Sequence, residues 1–150
     1  MVDGESQENT NTVTLENVTE EHTITVTVAL KTYEMTITQP ENGSISPATA
    51  TVTHGQNQEI TITPNEGYEV VSILVDGEDK GTGTVSGNTV TYTLENVIGI
   101  HTITATLALK TYEITVTQPD YATISPATAE VTHGQSQTFT ITPEEGYEIT

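Results

Sequence analysis

Threonine and aliphatic residues alternate along several stretches of the chain, and two of these stretches are near-copies of each other. The stretches His22–Gln39 and His101–Gln118 have almost the same sequence and lie 79 positions apart. Because successive side chains of a β-strand point to opposite faces, this alternation predicts strands with one apolar and one polar face. No segment keeps the period of an amphipathic helix over three turns. The pattern therefore predicts an all-β protein.

The repetition extends beyond these two stretches and organises the whole chain. Residues 33–71 align with residues 112–150 without a gap, and most of the aligned positions are identical. Residues 14–32 align with residues 93–111 in the same way. A fixed period of this kind predicts tandem copies of one small structural unit.

The alignment divides the chain into three segments. Residues 1–32 are predicted to be the C-terminal part of a repeat, residues 33–111 a complete repeat, and residues 112–150 the N-terminal part of a repeat. The motif VDGE at Val2–Glu5 matches Val75–Glu78, which places the first segment late in the repeat. We expect small antiparallel β-sandwich-like or β-grasp-like repeats of 79 residues, arranged end to end.

The strand that crosses the middle of the repeat is predicted to be cut at the ends of this chain. The apolar run Tyr68–Asp76 lies between glycines and has the composition of a buried strand, and the Gly-rich segment Gly77–Gly87 after it is predicted to be a loop. The residue equivalent to Val71 is Thr150, and the residue equivalent to Leu74 is Met1. We therefore expect both partial repeats to expose unpaired backbone and apolar side chains that a second chain can cover.

The junction between repeats has its own signal. Apolar residues occupy odd positions in His101–Leu109 and even positions in Tyr112–Gln118, so the core-facing side changes at Lys110 and Thr111. The same change of phase occurs at Lys31 and Thr32. We interpret both places as domain junctions that are crossed without a linker, and a connection this short is expected to hold neighbouring repeats at a nearly fixed angle.

Composition narrows the classes of function. The formal net charge is −18, with three lysines and no arginine, so the chain is expected to repel nucleic acid and anionic membranes. There is no cysteine, and no apolar run approaches the roughly 18 residues that a membrane span needs. The segment MVDGESQENT has neither the basic nor the apolar region of a signal peptide, so we interpret the chain as a mature or excised piece.

Few residues suggest chemistry, and each has a simpler explanation. Asp76, Glu78 and Asp79 form a loose calcium-loop pattern without EF-hand spacing, and a solvated hairpin is the simpler explanation. The four histidines form two repeat-related pairs without the convergent ligands that zinc requires. Lys31 and Lys110 raise the alternative of an isopeptide bond, although an exposed lysine is the default. No catalytic motif is present, so we predict that the protein is not an enzyme and needs no cofactor.

The motifs taken together resemble a known family. The order YEITVTQP, SISP, VTHGQ, TITP, GYE, LVDG and HTITAT is similar to the divergent InlB B-repeat, or bacterial repeat domain, of large bacterial surface proteins. The resemblance covers nearly the whole chain as one complete unit and two partial ones. It implies small β domains in tandem, secreted or attached to the cell wall, which serve as stalks, adhesins or fibre-forming elements. It implies no shared catalytic residues.

The sequence therefore predicts a structural subunit of an extracellular bacterial filament or surface stalk. Residues 1–32 of one chain would complete the repeat begun by residues 112–150 of another, in a pilus-like fibre built head to tail by donor-strand complementation. The alternative is a rigid spacer of a large adhesin whose ligand-binding domain, for a host surface or a glycan, lies elsewhere. The residues expected to carry self-assembly are Val2, Leu15, Ile24, Val26, Val28, Tyr112, Ile114, Val116, Tyr147 and Ile149.

Overall fold

The computed structural model describes residues 1–6 and 11–150. Strands make up 48% of it, and no helix occurs in the described residues, so the prediction of an all-β protein is confirmed. The chain divides into two compact units, Met1–Lys31 and Thr32–Thr150. The second unit contains the complete repeat followed by the C-terminal partial repeat.

The complete repeat consists of short strands with extended, threonine-rich sequences. Threonine, valine and isoleucine are β-branched and fit a pleated surface of which one side is buried. The strands of residues 32–109 are β1 (Thr32–Ile37), β2 (Gly43–Ser46), β3 (Thr49–Thr53), β4 (Gln58–Pro64), β5 (Tyr68–Val75), β6 (Glu78–Asp79), β7 (Thr84–Ser86), β8 (Thr89–Leu94) and β9 (Thr102–Leu109).

These strands form two sheets that share one hydrophobic core. One sheet has the order β3-β1-β9-β5-β6 and the other has the order β2-β4-β8-β7. The core contains side chains from both sheets, as expected of a β-sandwich-like unit. Its buried members are Met35, Ile45, Val52, Ile60, Ile62, Val70, Ile73, Val75, Val90, Val97 and Ile103.

The last strand of the repeat lies in the middle of the five-stranded sheet. Strand β9 pairs antiparallel with β5, from Tyr68 opposite Leu109 to Val75 opposite Ile103, and the register shifts between Val70 and Ser72. On its other side β9 pairs parallel with the end of β1. Ile103 therefore has a strand on each side and is fully buried. This parallel pair was not expected from the sequence.

The Gly-rich segment differs from its prediction as a loop. Residues 77–87 contain all of β6 and β7, and Val75 lies opposite Glu78 in an antiparallel pair. The turn between them has φ of 54° at Asp76 and 82° at Gly77. Two successive positive φ values are typical of a type I′ hairpin turn, for which Asp-Gly is a preferred sequence. The predicted loop is therefore wrong over these short strands.

The C-terminal partial repeat folds locally like the first half of the complete repeat. Its strands pair in the registers of β1 with β3 and of β2 with β4, displaced by one repeat length. The Gln118 side chain donates to Ile124 O at 2.8 Å and accepts from Ile124 N at 2.7 Å, just as Gln39 bonds to Ile45. The strands are β10 (Thr111–Thr115), β11 (Ala122–Ser125), β12 (Thr128–Thr132) and β13 (Thr140–Pro143).

The N-terminal unit reproduces one feature of the second half of the repeat. Val2 forms an antiparallel bridge with Ile24, which repeats the pairing of Val75 with Ile103. Met1 O accepts a hydrogen bond from Thr25 N at 3.0 Å beside this bridge. Among the described residues of this unit, pairing is limited to isolated bridges, so the equivalent of β9 is not part of a sheet there.

The shared core predicts a large penalty for truncating a central side chain. Ile62 is fully buried between the sheets, so Ile62→Ala is expected to lower the free energy of unfolding by about 2–5 kcal/mol through lost packing and a residual cavity. The control Ile100→Ala shortens an exposed side chain and is expected to change stability by no more than about 0.5 kcal/mol. Urea unfolding at low protein concentration, followed by circular dichroism, measures both. Equal losses for the two variants would contradict a core at this position.

Candidate assembly surfaces

The C-terminal partial repeat exposes positions that are buried in the complete repeat. Ile62 of β4 has 0% of its surface exposed, whereas its repeat equivalent Ile141 of β13 is 46% exposed. Val70 of β5 is buried and its equivalent Ile149 is exposed. The difference arises because β4 and β5 are each flanked by a strand from the second half of the repeat. We call the exposed residues Ile114, Ile141, Tyr147 and Ile149 the acceptor face.

The N-terminal unit exposes the complementary set of positions. Ile103 is 0% exposed, whereas its repeat equivalent Ile24 is 52% exposed. Val97 is likewise fully buried in the complete repeat, and its equivalent Val18 is exposed. Apolar groups that have lost their cover leave a surface whose burial would be favourable. We call the exposed residues Val18, Ile24, Val26, Val28 and Leu30 the donor face.

Most residues expected to carry self-assembly are exposed. Among them, Ile24, Val26, Val28, Tyr112, Ile114, Tyr147 and Ile149 are exposed, whereas Val2, Leu15 and Val116 are half-buried. Tyr147 also stacks on Tyr121, with ring centroids 4.3 Å apart and planes 3° from parallel. Sequence reasoning missed this stack, because Tyr121 occupies the position of Asn42 and has no counterpart in the first copy.

An aspartate–histidine pair fixes the turn that precedes β9. The Asp76 carboxylate accepts a hydrogen bond from Thr102 N at 2.8 Å through Oδ1, and its Oδ2 lies 2.6 Å from His101 Nδ1. The hydrogen bond from the Thr102 backbone has the largest effect on the pKa of Asp76, and the hydrogen bond with His101 has the next largest. Both lower this pKa below its ordinary value, because they stabilise the ionised carboxylate. The pair thus ties the β5–β6 hairpin to the start of β9.

The same pair occurs in the N-terminal unit. Asp3 Oδ1 accepts from Thr23 N at 2.8 Å, and Asp3 Oδ2 lies 2.7 Å from His22 Nδ1. The hydrogen bond from Thr23, followed by that of His22, lowers the pKa of Asp3. The donor segment around Ile24 is therefore already held against Val2 as it is in the complete repeat. The recurrence of VDGE followed by HTIT in both copies was the available sequence signal, although His22 follows Asp3 by 19 residues and His101 follows Asp76 by 25.

The remaining candidates for calcium each face a separate donor. Glu78 Oε2 lies 2.7 Å from Lys80 Nζ, and Asp79 Oδ1 accepts from Gly81 N at 2.8 Å. In the part of the chain that the structure describes, no group of three His, Cys, Asp or Glu side chains is placed to hold a metal ion. Calcium binding by Asp76, Glu78 and Asp79 stays a prediction.

The other two histidines hold the start of each repeat. Tyr33 Oη lies 2.9 Å from His54 Nδ1, and Tyr112 Oη lies 3.2 Å from His133 Nδ1. In both pairs the rings are tilted, with centroids about 6 Å apart. Each pair links the first strand of a repeat to the turn after its third strand. Their role in the structure is thus to orient neighbouring strands.

The junction after the complete repeat is held by backbone hydrogen bonds on both sides of Lys110. Lys110 N donates to Gly67 O, and His133 N donates to Lys110 O, each at 2.8 Å. The His133 ring packs so closely on Gly67 that a Cβ at this glycine would collide with it. Strand β9 ends at Leu109 and β10 begins at Thr111, while Thr32 begins β1 after Lys31. A single residue, which is hydrogen-bonded to both repeats, therefore separates the last strand of one repeat from the first strand of the next.

Comparison with known proteins identifies the family of this fold. The model of the divergent InlB B-repeat domain matches residues 33–108 and 112–150, which is well over half of the chain. The chain therefore belongs to the divergent InlB B-repeat family. Domains of this kind occur in bacterial surface proteins, and the family is one of repeat domains and not of enzymes. No curated protein and no solved structure matches the chain.

The described residues include no helix with the length and hydrophobicity of a membrane span.

The complete repeat contains a cleft of about 320 Å³. Its walls combine apolar side chains such as Val70, Val85 and Val90 with the polar or charged groups of Glu69, Asn88 and Lys110, so the lining is mixed.

The aspartate–histidine pair predicts a stability that depends on pH. Because the folded-state pKa of Asp76 is lowered, its contribution is fully present above the unfolded pKa of roughly 3.9 and is lost as the pH falls through the folded value. Asp76→Asn is expected to be less stable than the wild type at neutral pH, and the difference should shrink below about pH 4. Urea unfolding at a series of pH values measures it. Glu34→Gln, on the exposed side of β1, controls for the loss of one negative charge, and a difference that does not vary with pH would contradict the role of Asp76.

Proposed function

We propose that the protein is a structural module of an extracellular bacterial stalk or filament, in which the donor face of one chain completes the acceptor face of the next. Membership of a family of surface-protein repeat domains supports the structural role and the location outside the cell. The single observation that carries the head-to-tail arrangement is the match between the two exposed faces and the two halves of the complete repeat.

The complete repeat supplies the template for this contact. In it, β9 lies between β1 and β5, and β8 lies beside β4. In the proposed contact, residues 23–30 of one chain would lie between β10 and Tyr147–Ile149 of its neighbour. Residues 11–15 would lie beside β13 of that neighbour in the position of β8. Strand addition of this kind provides main-chain hydrogen bonds and a row of apolar side chains at alternate positions.

Part of the donor already has the arrangement of the intact repeat. Val2 pairs with Ile24 as Val75 pairs with Ile103. In the proposed contact, this bridge would therefore be present before the two chains meet.

Each chain offers one donor face and one acceptor face, and the two faces differ. A contact between different surfaces is heterologous, and it produces an open filament when its rotation does not close a ring. The backbone hydrogen bonds on both sides of Lys110 support a stiff fibre, because they tie consecutive repeats together without a linker. The same junction supports the alternative function of a rigid spacer within a large adhesin.

Single substitutions on either face are expected to weaken association. Ile24→Asp and Ile149→Asp each place a charge where the complete repeat has a buried apolar side chain, so each should weaken self-association more than about 100-fold. The control Val85→Asp alters an exposed valine of the complete repeat outside both faces and should leave association unchanged. Analytical ultracentrifugation over a wide concentration range and negative-stain electron microscopy provide the measurements. A wild-type chain that remains monomeric at high concentration would overturn the filament, and closed rings would overturn its open form.

A further inference from the structure

We infer that donor and acceptor faces recognise each other through side-chain pairs whose sizes are matched differently from those of the intact repeat. This inference rests on the proposed function and names the specificity of its contact, the partner being a second copy of this chain. Two positions in the acceptor and two in the donor carry it. They form two pairs, each with one residue from the acceptor and one from the donor. In each pair, both residues differ from their equivalents in the complete repeat.

The first pair lies between the strands β4 and β8. Ile60 lies opposite Tyr92 in the antiparallel ladder; Ile60 is fully buried, and Tyr92 packs against the core. The repeat equivalents of these residues are Phe139 and Val13. An aliphatic residue on β4 and an aromatic residue on β8 have thus become an aromatic residue and an aliphatic one. The aromatic ring has moved from one strand to the other, and the pair has lost only one methylene group and one hydroxyl oxygen.

The second pair lies between β2 and β9. Gly43 has no side chain, and a Cβ added to it would lie 2.9 Å from Leu107 Cδ2. The repeat equivalents are Ala122 and Val28. The acceptor has gained the methyl group that Leu107 would obstruct, and the donor has lost the Cδ atoms that would obstruct it. Val28 is 85% exposed, so packing against the described residues of its own unit does not account for its smaller size.

The contact at Gly43 also limits the alternatives. An added Cβ would lie 3.0 Å from Thr63 O and 3.2 Å from Pro64 Cα in the intact repeat, so the site is narrow before Leu107 is considered. The equivalent site holds Ala122 opposite Pro143 in the same register. The backbone around Ala122 therefore accommodates a methyl group. The size of the donor residue that faces it determines how much space is left between them.

Wrong combinations of these pairs are costly for opposite reasons. An aromatic residue on both strands overfills the space, and an aliphatic residue on both leaves a cavity. Leucine at the position of Val28 would press on the Ala122 methyl group. Each mismatch is expected to weaken association by about 5- to 100-fold.

Two single variants test the first pair in one mixing experiment. V13Y gives a chain with an aromatic residue on both faces, and F139I gives a chain with an aliphatic residue on both. Each is expected to associate about 5- to 100-fold more weakly than the wild type when alone. An equimolar mixture is expected to recover wild-type association as an alternating copolymer. In this copolymer, every second contact joins the donor face of V13Y to the acceptor face of F139I, which restores the order of aromatic and aliphatic residues in the intact repeat. The other contacts join the donor face of F139I to the acceptor face of V13Y, and these have the wild-type side chains.

The second pair is tested in the same way. V28L is expected to weaken association because of the clash with Ala122, and A122G in the same chain is expected to restore it. Sedimentation velocity over a concentration series measures association, and urea unfolding of the complete repeat serves as the control for folding. All four substitutions lie outside residues 33–111, so that unfolding transition should not change.

The outcomes separate this inference from the function on which it rests. If the wild type does not associate, the proposed function fails. If the wild type associates but the V13Y and F139I mixture is no tighter than the two variants alone, and A122G does not rescue V28L, the faces associate without size-matched recognition and this inference alone fails. Recovery in the mixture together with rescue supports it.

Discussion

The whole architecture depends on the position of β9, the last strand of the repeat, in the centre of the five-stranded sheet. It pairs with β1 on one side and with β5 on the other, and Ile103 is buried beneath this pairing. A strand that comes last in the repeat and lies in the middle of a sheet makes the two halves of the repeat mutually dependent. Without β9, the first half of the repeat lacks the central strand of its sheet. Without the first half, β9 lacks the strands β1 and β5 that flank it.

The exposed surfaces of the two partial repeats follow from this dependence. Each partial repeat forms the pairs that are local in sequence, namely the β10–β12 and β11–β13 ladders and the Val2–Ile24 bridge. Neither can form the long-range pairs around the central strand by itself. The aspartate–histidine pair at Asp3 holds the donor segment in its repeat conformation, so less conformational entropy would be lost in the proposed contact.

Sequence periodicity predicted the strands because alternation shows which side of the backbone is apolar, and the domain junctions that it indicates stay a prediction. The change of phase at Lys110 lies at the single residue between β9 and β10. The parallel pair of β1 with β9 could not be predicted, since alternation gives the faces of a strand and not its neighbours. The hydrogen bonds of Asp76 were missed for a related reason. Their partner His101 is distant in sequence, and only the recurrence of both residues in the other copy linked them.

Repeats of nearly identical sequence can exchange equivalent strands, and paired changes in side-chain size can disfavour such an exchange. Strands that are alike can exchange, so the β9 segment of the complete repeat could occupy the site that is proposed for residues 23–30 of a neighbour. Such an exchange would bring Leu107 against Ala122 and, with it, Tyr92 against Phe139. Both contacts are overfilled, while the reverse exchange would leave Val13 opposite Ile60 and open a cavity. Under the proposed pairing, the side chains that differ between the copies thus favour one arrangement of the halves, while the backbone that they share makes each arrangement possible.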